Sequence, residues 1–265
     1  MITATDLSRT YPDGTVALAS TNISIPKGQF VALIGPSGCG KSTLINLLAG
    51  LDQPTVGTAQ IAGRSAMVFQ EPALFPWLNI RDNIEFGGKL RGVPVSQRRE
   101  QSDFLLKMVH LRRFADAFPH QLSGGMRQRA AIARALMLEP DVLLMDEPFG
   151  ALDAQTRSLL QQELLSIWQA TGKTIVFVTH SLDEALLLAD RIIFMSARPG
   201  RVVGDVLVDA PYPRDVYGHP FLTSLHTRLQ DLLEKEVAAV AAAEHDDGWM
   251  PPLSVDTAIG PGEGI

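Results

Sequence analysis

The stretch Gly35-Pro36-Ser37-Gly38-Cys39-Gly40-Lys41-Ser42-Thr43 decides the fold of this chain. An apolar run at residues 30–34 precedes it and predicts a buried strand, and residues 44–49 after it predict the first turns of a helix. In that context a glycine-rich turn ending in Gly-Lys-Ser is a phosphate-binding loop. Inward-pointing N–H groups and the positive helix end bind phosphate, Lys41 reaches the β- and γ-phosphates, and Ser42 ligates Mg²⁺. We therefore expect the chain to bind a nucleoside triphosphate.

Composition and charge narrow the classes of partner. The chain has 265 residues, of which 46% are hydrophobic and 20% charged, as expected for a globular protein. The net charge of −6 gives no overall attraction to nucleic acid or anionic lipid. Cys39 is the single cysteine, and we interpret it as a small residue in a tight turn rather than as a redox switch. Neither a signal peptide nor a membrane-spanning segment is predicted, so work at a membrane would need another chain.

Short apolar runs before the loop predict a small antiparallel sheet that lies against the nucleotide core. The strands are expected at residues 2–7, 16–18 and 23–25, with turns at Pro12-Asp13-Gly14 and Pro26-Lys27-Gly28. Tyr11 comes just before the first turn. Its ring either stacks on adenine or packs on the sheet, and the sequence alone leaves both interpretations open.

A proline-rich loop follows the strand predicted at residues 66–70, which comes after another at 58–61. The later strand ends in Gln70, and the loop from Glu71 to Leu78 carries Phe75 and Trp77. Aromatic residues in such a loop indicate a partner-docking surface or, alternatively, a local mini-core. Residues 79–140 lack strand signals and predict a helical insertion, with helices at 79–90 and 95–111 and Ser96 as an N-cap.

Two adjacent carboxylates and a second helix start extend the candidate site. Ser123-Gly124-Gly125 precedes a good helix-forming run and indicates either another anion-binding helix N-terminus or an ordinary helix N-cap. The apolar residues 142–145 predict a strand that delivers Asp146 and Glu147 beside the phosphate loop. Asp146 would hold Mg²⁺ or its water, and Glu147 would accept a proton from an attacking water. A turn ending at Asp153 leads into a helix predicted at residues 154–171.

The remaining strands and helices predict an α/β core with a mostly parallel sheet. A strand expected at residues 174–179 ends in His180, which is either a structural histidine or a γ-phosphate contact. Ser181 is expected to cap the next helix, with Glu184 completing a capping box. Further along, the pattern predicts a strand at 191–196, a helix at 220–243 and disorder from residue 246 onwards.

In order and spacing, these motifs resemble the ATP-binding cassette (ABC) ATPases over residues 1–230. The resemblance implies a P-loop NTPase (RecA-like) core with an N-terminal antiparallel β-subdomain and an inserted helical subdomain at about 79–140. Residues 231–265 would then form a C-terminal helix and a disordered tail.

The resemblance also implies a role for each candidate residue. In that family Tyr11 looks like the adenine-stacking aromatic, and Gln70 like the glutamine that senses both Mg²⁺ and the membrane subunit. Asp146 resembles the Mg²⁺ aspartate, Glu147 the catalytic base and His180 the switch histidine. The remaining family positions are Ser123, Gly124 and Gly125, which touch the γ-phosphate bound by the opposite subunit, and Asp153, which joins the two halves. Two Mg²⁺-bound ATP molecules would thus lie head-to-tail between two copies of the chain, or between it and a paralogue.

Three stretches resemble one importer branch, that of nitrate, sulfonate, taurine and bicarbonate uptake. Met126 stands where glutamine is commonest, and Phe75–Leu78 and Ser196–Arg201 look like that branch's loop and terminal turn. The branch implies a peripheral ATPase at the cytoplasmic face of the cell membrane. Its partners would be transmembrane permease subunits and, indirectly, a periplasmic or lipid-anchored solute-binding protein, with no nucleic acid. The alternatives are a lipid or drug exporter subunit and a soluble DNA-repair-type ATPase.

Overall fold

The computed structural model describes residues 1–150 and 152–246. The strands are β1 Ile2–Thr10, β2 Val16–Ile25, β3 Phe30–Ile34, β4 Val56–Ile61, β5 Ser65–Val68, β6 Val142–Asp146, β7 Thr174–Val178, β8 Arg191–Met195 and β9 Val202–Leu207. The helices are α1 Lys41–Leu48, α2 Ile80–Leu90, α3 Val95–Met108, α4 Gly124–Leu136, α5 Ala154–Thr171, α6 Leu182–Leu188 and α7 Pro220–Asp246. Short 3₁₀ turns at Arg112–Phe114 and Pro119–Gln121 connect α3 to α4.

The larger sheet is buried on both faces, and it confirms the predicted α/β class. Its strand order is β5-β6-β7-β3-β8-β9, parallel from β5 to β8, with β9 antiparallel to β8. Alternate residues of β3 belong to two different apolar clusters, Phe30 and Ala32 to one and Val31 and Leu33 to the other. The carboxyl ends of β3, β6 and β7 are therefore neighbours, and ligands bind at this edge of such sheets.

The N-terminal sheet has the predicted antiparallel form but one strand fewer before the loop. Its order is β2-β1-β4, and its apolar side packs with α1 against the larger sheet. The prediction of separate strands at residues 16–18 and 23–25 is wrong, because β2 runs through both. The polar residues between them pair with β1 across a bulge, where the Asn22 side chain accepts the Asp6 N–H at 2.9 Å.

The segment predicted as a helical insertion contains α2, α3 and α4, which pack on one another. Asn79 caps α2 by accepting the Asp82 N–H at 2.7 Å. Ser96 does not cap α3, because Pro94 occupies that position and Ser96 is the second helical residue. The helix also ends at Met108, three residues earlier than predicted, where His110 takes a positive φ of 55° that stops it.

Two features of the C-terminal region differ from the sequence prediction. Strand β9 was not predicted, because Gly204 and Asp205 interrupt its apolar pattern; Asp205 instead pairs with Arg191 of β8 at 2.6 Å. Helix α7 extends beyond the predicted 220–243 to Asp246, and its Leu222, Leu225 and Leu229 lie in the core. Disorder was predicted from residue 246, but Asp246 still belongs to α7, and residues 247–265 lie outside the described residues. Of the helices described, none is long and apolar enough to cross a membrane.

Candidate functional site

The phosphate loop lies at the carboxyl end of β3 and begins α1 at Lys41. Gly35, Gly38 and Gly40 all have positive φ angles, and a Cβ on Gly40 would lie 2.6 Å from the Ala17 carbonyl oxygen. Glycine is therefore required at Gly40 by both backbone conformation and space. A cleft of about 310 Å³ opens above the loop. Its lining consists of Tyr11, Ala17, Ser37, Gly38, Cys39, Gly40, Lys41, Ser42, Thr43, Glu147 and Arg198.

We expect Gly40→Ala to destabilise the chain more than Gly14→Ala does. Both glycines have positive φ (96° and 86°), but no heavy atom lies within 4 Å of a Cβ built on Gly14. Strain alone costs about 1–2 kcal/mol at Gly14, whereas the clash adds about 1–3 kcal/mol at Gly40. Denaturant unfolding measures both, and equal losses would show that the approach of Ala17 contributes nothing.

Lys41 is held inside the curl of the loop. Its Nζ donates hydrogen bonds to the carbonyl oxygens of Gly35 and Pro36, both at 2.8 Å, and only 6% of the residue is exposed. The Cys39 sulfur lies 3.7 Å from the same Nζ and is 1% exposed. Burial raises the pKa of the Cys39 thiol, although Lys41 opposes the shift. A raised pKa disfavours the reactive thiolate, which supports the turn-filling interpretation over the redox switch.

Ser42 and Asp146 meet at the position predicted for Mg²⁺. The Ser42 hydroxyl donates to the Asp146 carboxylate at 3.2 Å. Burial raises the pKa of Asp146, and the Ser42 bond acts in the opposite direction. Within the described chain, no three His, Cys, Asp or Glu side chains form a closed metal cluster. One hydroxyl and one carboxylate oxygen fit Mg²⁺, which binds few protein ligands and completes its shell with phosphate and water.

Two predicted residues, Gln70 and His180, converge on the Glu147 carboxylate. Gln70 Nε2 donates to Glu147 Oε2 at 3.3 Å, and His180 Nδ1 lies 3.5 Å from the same oxygen. Glu147 has a φ of 44°, a conformation that non-glycine residues rarely adopt. Its N–H donates to the Val178 carbonyl, which ties this turn to the strand that leads to His180. Strain of about 1–3 kcal/mol is typical of such functional positions.

Tyr11 lies on the cleft but also packs locally. Its hydroxyl is 3.4 Å from the Thr43 Oγ1, and the Arg9 guanidinium sits 4.8 Å above its ring. Arg9 is itself paired with Asp52 at 2.7 Å. The two interpretations of Tyr11 are therefore compatible, because one ring can pack against the sheet and border the cleft. Its stacking on adenine stays a prediction.

The second helix start and Asp153 lie outside the cleft of their own chain. None of Ser123, Gly124, Gly125 and Asp153 lines that cleft. Ser123 caps α4 by accepting the Met126 N–H at 3.3 Å, and Asp153 caps α5 by accepting the Thr156 N–H at 3.0 Å. The Thr156 backbone bond lowers the pKa of Asp153, so its negative charge is favoured. Ser123 and Asp153 therefore cap their own helices, none of the four residues lines the cleft of its own chain, and the role toward an opposite subunit that the resemblance implies stays a prediction.

The cleft also holds Arg198, which the sequence prediction did not include in the site. The turn that carries it packs on the phosphate-loop region: the Gly200 N–H donates to the Ala17 carbonyl at 3.1 Å, and the Ala19 N–H donates back to Gly200 at 2.8 Å. Ser196–Arg201 was recognised only as a turn typical of one branch. This turn follows β8, and because β8 pairs in parallel with β3, it lies beside the phosphate loop that follows β3.

Residues 18–150 match the sequence model of a family described as ABC transporter. The chain belongs to the ABC transporter family. It is 46% identical over 229 residues to an uncharacterised ABC transporter ATP-binding protein of Methanocaldococcus jannaschii, a match that covers 83% of this chain and 85% of the relative. The predicted resemblance to ABC ATPases is confirmed.

Two relatives whose names state the imported solute support the resemblance to the nitrate, sulfonate and taurine importer branch. The chain is 44% identical over 218 residues to the nitrate import ATP-binding protein of Synechocystis sp. (78% of this chain, 82% of the relative). It is 46% identical over 201 residues to the taurine import ATP-binding protein of Ruegeria pomeroyi (72% and 75%). A dimeric ATP-binding cassette solved after hydrolysis, with bound ADP and phosphate, has a TM-score of 0.73 at 34% identity and covers 80% of this chain and all of its own. The protein is accordingly an ABC ATP-binding subunit with ATPase activity.

Proposed function

We propose that this ABC subunit hydrolyses ATP to energise the import of nitrate, an aliphatic sulfonate, taurine or a similar small anion. The observation that carries the proposal is Gln70. Its amide bonds the Glu147 carboxylate at 3.3 Å, and the chain continues from it directly into the exposed aromatic loop. A movement of that loop would therefore be transmitted to the carboxylate assigned as the base. The nitrate and taurine import relatives support the choice of solute class.

The loop is tied to the helical insertion as well as to the site. The Gln128 side chain of α4 donates to the Phe69 carbonyl at 3.1 Å, and Arg134 of the same helix donates to Ala73 at 2.7 Å. From α2, the Asn83 amide bonds both the N–H and the carbonyl of Phe75. Since Ser123 caps the start of α4, a permease that presses on the loop would act both on Glu147 in the cleft and on the N-terminus of α4.

The aromatic residues of the loop divide between packing and exposure. Phe75 packs on Phe86 at 4.6 Å between ring centroids, as a mini-core would require. Trp77 is 70% exposed, as a docking surface would require. Exposed tryptophan is typical of interface anchors. We therefore assign Phe75 to holding the loop and Trp77 to contacting the transmembrane permease subunits.

Hydrolysis is assigned to the groups around the cleft. The ATP phosphates would lie on the loop N–H groups and on the start of α1, where Lys41 offsets the charge that develops on the γ-phosphate. Glu147 would accept a proton from the attacking water, and His180 and Gln70 would orient the carboxylate and the water. Ser42, Asp146 and Gln70 would hold Mg²⁺, which neutralises phosphate charge when bound.

The working unit would be a dimer of this chain, or of this chain and a paralogue. Ser123, Gly124, Gly125 and Asp153 lie away from their own cleft, as expected if they complete the partner's site. In this arrangement the dimer would sit peripherally on the cytoplasmic face of the cell membrane. A solute-binding protein would act on it only through the permease.

Affinity purification from detergent-solubilised membranes tests this proposal. We expect the chain to recover a permease with several membrane helices and a solute-binding protein, and we expect nitrate, sulfonate or taurine to stimulate ATPase activity of the reconstituted complex. Trp77→Ala should reduce recovery of the permease about tenfold or more. Leu207→Ala is the matched control, because Leu207 is 64% exposed on β9 at the opposite sheet edge from β5, which leads into the Trp77 loop. Recovery of an exporter, of nucleic acid or of no membrane protein would overturn the proposal.

A further inference from the structure

A buried carboxylate outside the cleft connects the His180 turn to helix α5. Glu184 is 9% exposed, and it accepts the Thr179 hydroxyl at 2.6 Å and the Gln161 amide at 3.2 Å. Arg157 approaches the same carboxylate at 3.7 Å. The predicted capping box with Ser181 is only half formed: Ser181 accepts the Glu184 N–H at 3.3 Å, but the Glu184 side chain turns away to these other partners. The carboxylate is thus used for something other than capping α6.

Both neighbours of His180 are bonded to Glu184. The Thr179 hydroxyl donates to the carboxylate and accepts the Ser181 N–H at 3.0 Å, so the three-residue turn is closed on itself. His180 has a side chain that is 68% exposed and no anchor besides its 3.5 Å approach to Glu147 among the contacts of the described chain. The position of the imidazole is therefore set by the backbone on either side of it.

On its other side, Glu184 reaches the start of α5. Gln161 and Arg157 belong to that helix, and the Arg157 guanidinium also donates to the Leu152 carbonyl at 3.0 Å, beside Asp153. A path of direct contacts thus runs from the Asp153 turn through Arg157 and Glu184 to the His180 turn. We propose that Glu184 is a positioning residue for ATP hydrolysis. It holds His180 against Glu147 and fixes the position of His180 relative to the end of α5 at Asp153. This inference rests on the proposed roles of His180 and Glu147.

Exchange of the Glu184 and Gln161 side chains tests the inference. In Glu184→Gln the new amide meets two donors, Thr179 and Gln161, so one bond is lost. We expect kcat to fall about tenfold while the Kd for ATP stays within about twofold, because the cleft itself is untouched. In the double variant Glu184→Gln/Gln161→Glu, the amide at 184 donates to a carboxylate at 161 and the bond is restored. We expect kcat to recover to within about threefold of the parent.

Controls separate this inference from the proposed function and from misfolding. Glu163→Gln makes the same change on α5 at a position with no bonded partner among the described residues, and it should leave kcat unchanged. If Glu184→Gln does not fold, Gln161→Met removes the hydrogen bond from α5 to Glu184, and a lower kcat at equal ATP affinity is then the supporting result. An unchanged kcat in the folded variant, or a double variant no faster than Glu184→Gln, overturns the inference. Loss of activity in Glu147→Gln shows separately whether the hydrolytic site is correctly assigned.

Discussion

Glu147→Gln is expected to reduce kcat for ATP hydrolysis by about 10²–10⁴-fold while ATP binding is retained. The amide has almost the same shape as the carboxylate, so the strained backbone with φ of 44° and the contact to Gln70 can persist. What is lost is the ability of residue 147 to accept a proton from water. Among the described residues, Glu147 is the one carboxylate that pairs with His180, so no second carboxylate at that position takes over this role. Single-turnover hydrolysis and equilibrium ATP binding, measured on the same preparation, separate the two effects.

Glu100→Gln provides the matched control for this experiment. The Glu100 side chain is exposed on α3 and forms no hydrogen bond or ion pair with the described residues, so kcat should be unaffected. Thermal unfolding of Glu147→Gln should stay close to that of the parent, since no packing is lost. A variant that turns over ATP at the parental rate would remove Glu147 from the role of base, and loss of ATP binding would indicate a structural role instead.

The phosphate loop and the carboxylate turn could be predicted because their signals are local. A glycine-rich turn between an apolar strand and a helix has few other solutions, and β3, β6 and α5 lie where the sequence placed them. The convergence of Gln70 and His180 on Glu147 depended on the order of strands in the sheet. The sequence did not predict that order, since local pattern does not specify which strands are neighbours, and the roles of Gln70 and His180 came from the family resemblance.

The errors arose where a tertiary contact replaced a local signal. Gly204 and Asp205 weaken the pattern of β9, but an ion pair with Arg191 across the strands compensates. Glu184 has the spacing of a capping box, yet Thr179 and Gln161 offer stronger partners in the buried interior. Arg198 was missed because its place beside the phosphate loop follows from the pairing of β8 with β3, which local pattern does not reveal. Partners distant in sequence cannot be inferred from short motifs.

Lys41→Ala is expected to weaken ATP binding at least about 100-fold and to abolish hydrolysis at ordinary ATP concentrations. The variant removes a positive charge from the cleft, together with the two 2.8 Å bonds that hold the Gly35 and Pro36 carbonyls inward. Relief from burying the ammonium offsets part of the loss of those bonds, so we expect thermal unfolding to change little.

Two further variants show whether charge alone explains this effect. Lys41→Arg keeps the charge, but a planar guanidinium does not fit between two carbonyl oxygens in a buried turn, so ATP affinity should remain far below that of the parent. Lys173→Ala is the matched control, because Lys173 also donates to a backbone carbonyl, that of Pro140 at 2.9 Å. Lys173 directly precedes β7, so it lies at the amino end of the parallel strands, away from the cleft at their carboxyl ends. The Lys173→Ala variant should bind ATP normally in an equilibrium titration. Normal binding by Lys41→Ala, or equal weakening by Lys173→Ala, would contradict the assignment, because the ammonium at the start of α1 is the feature that makes this loop a triphosphate site.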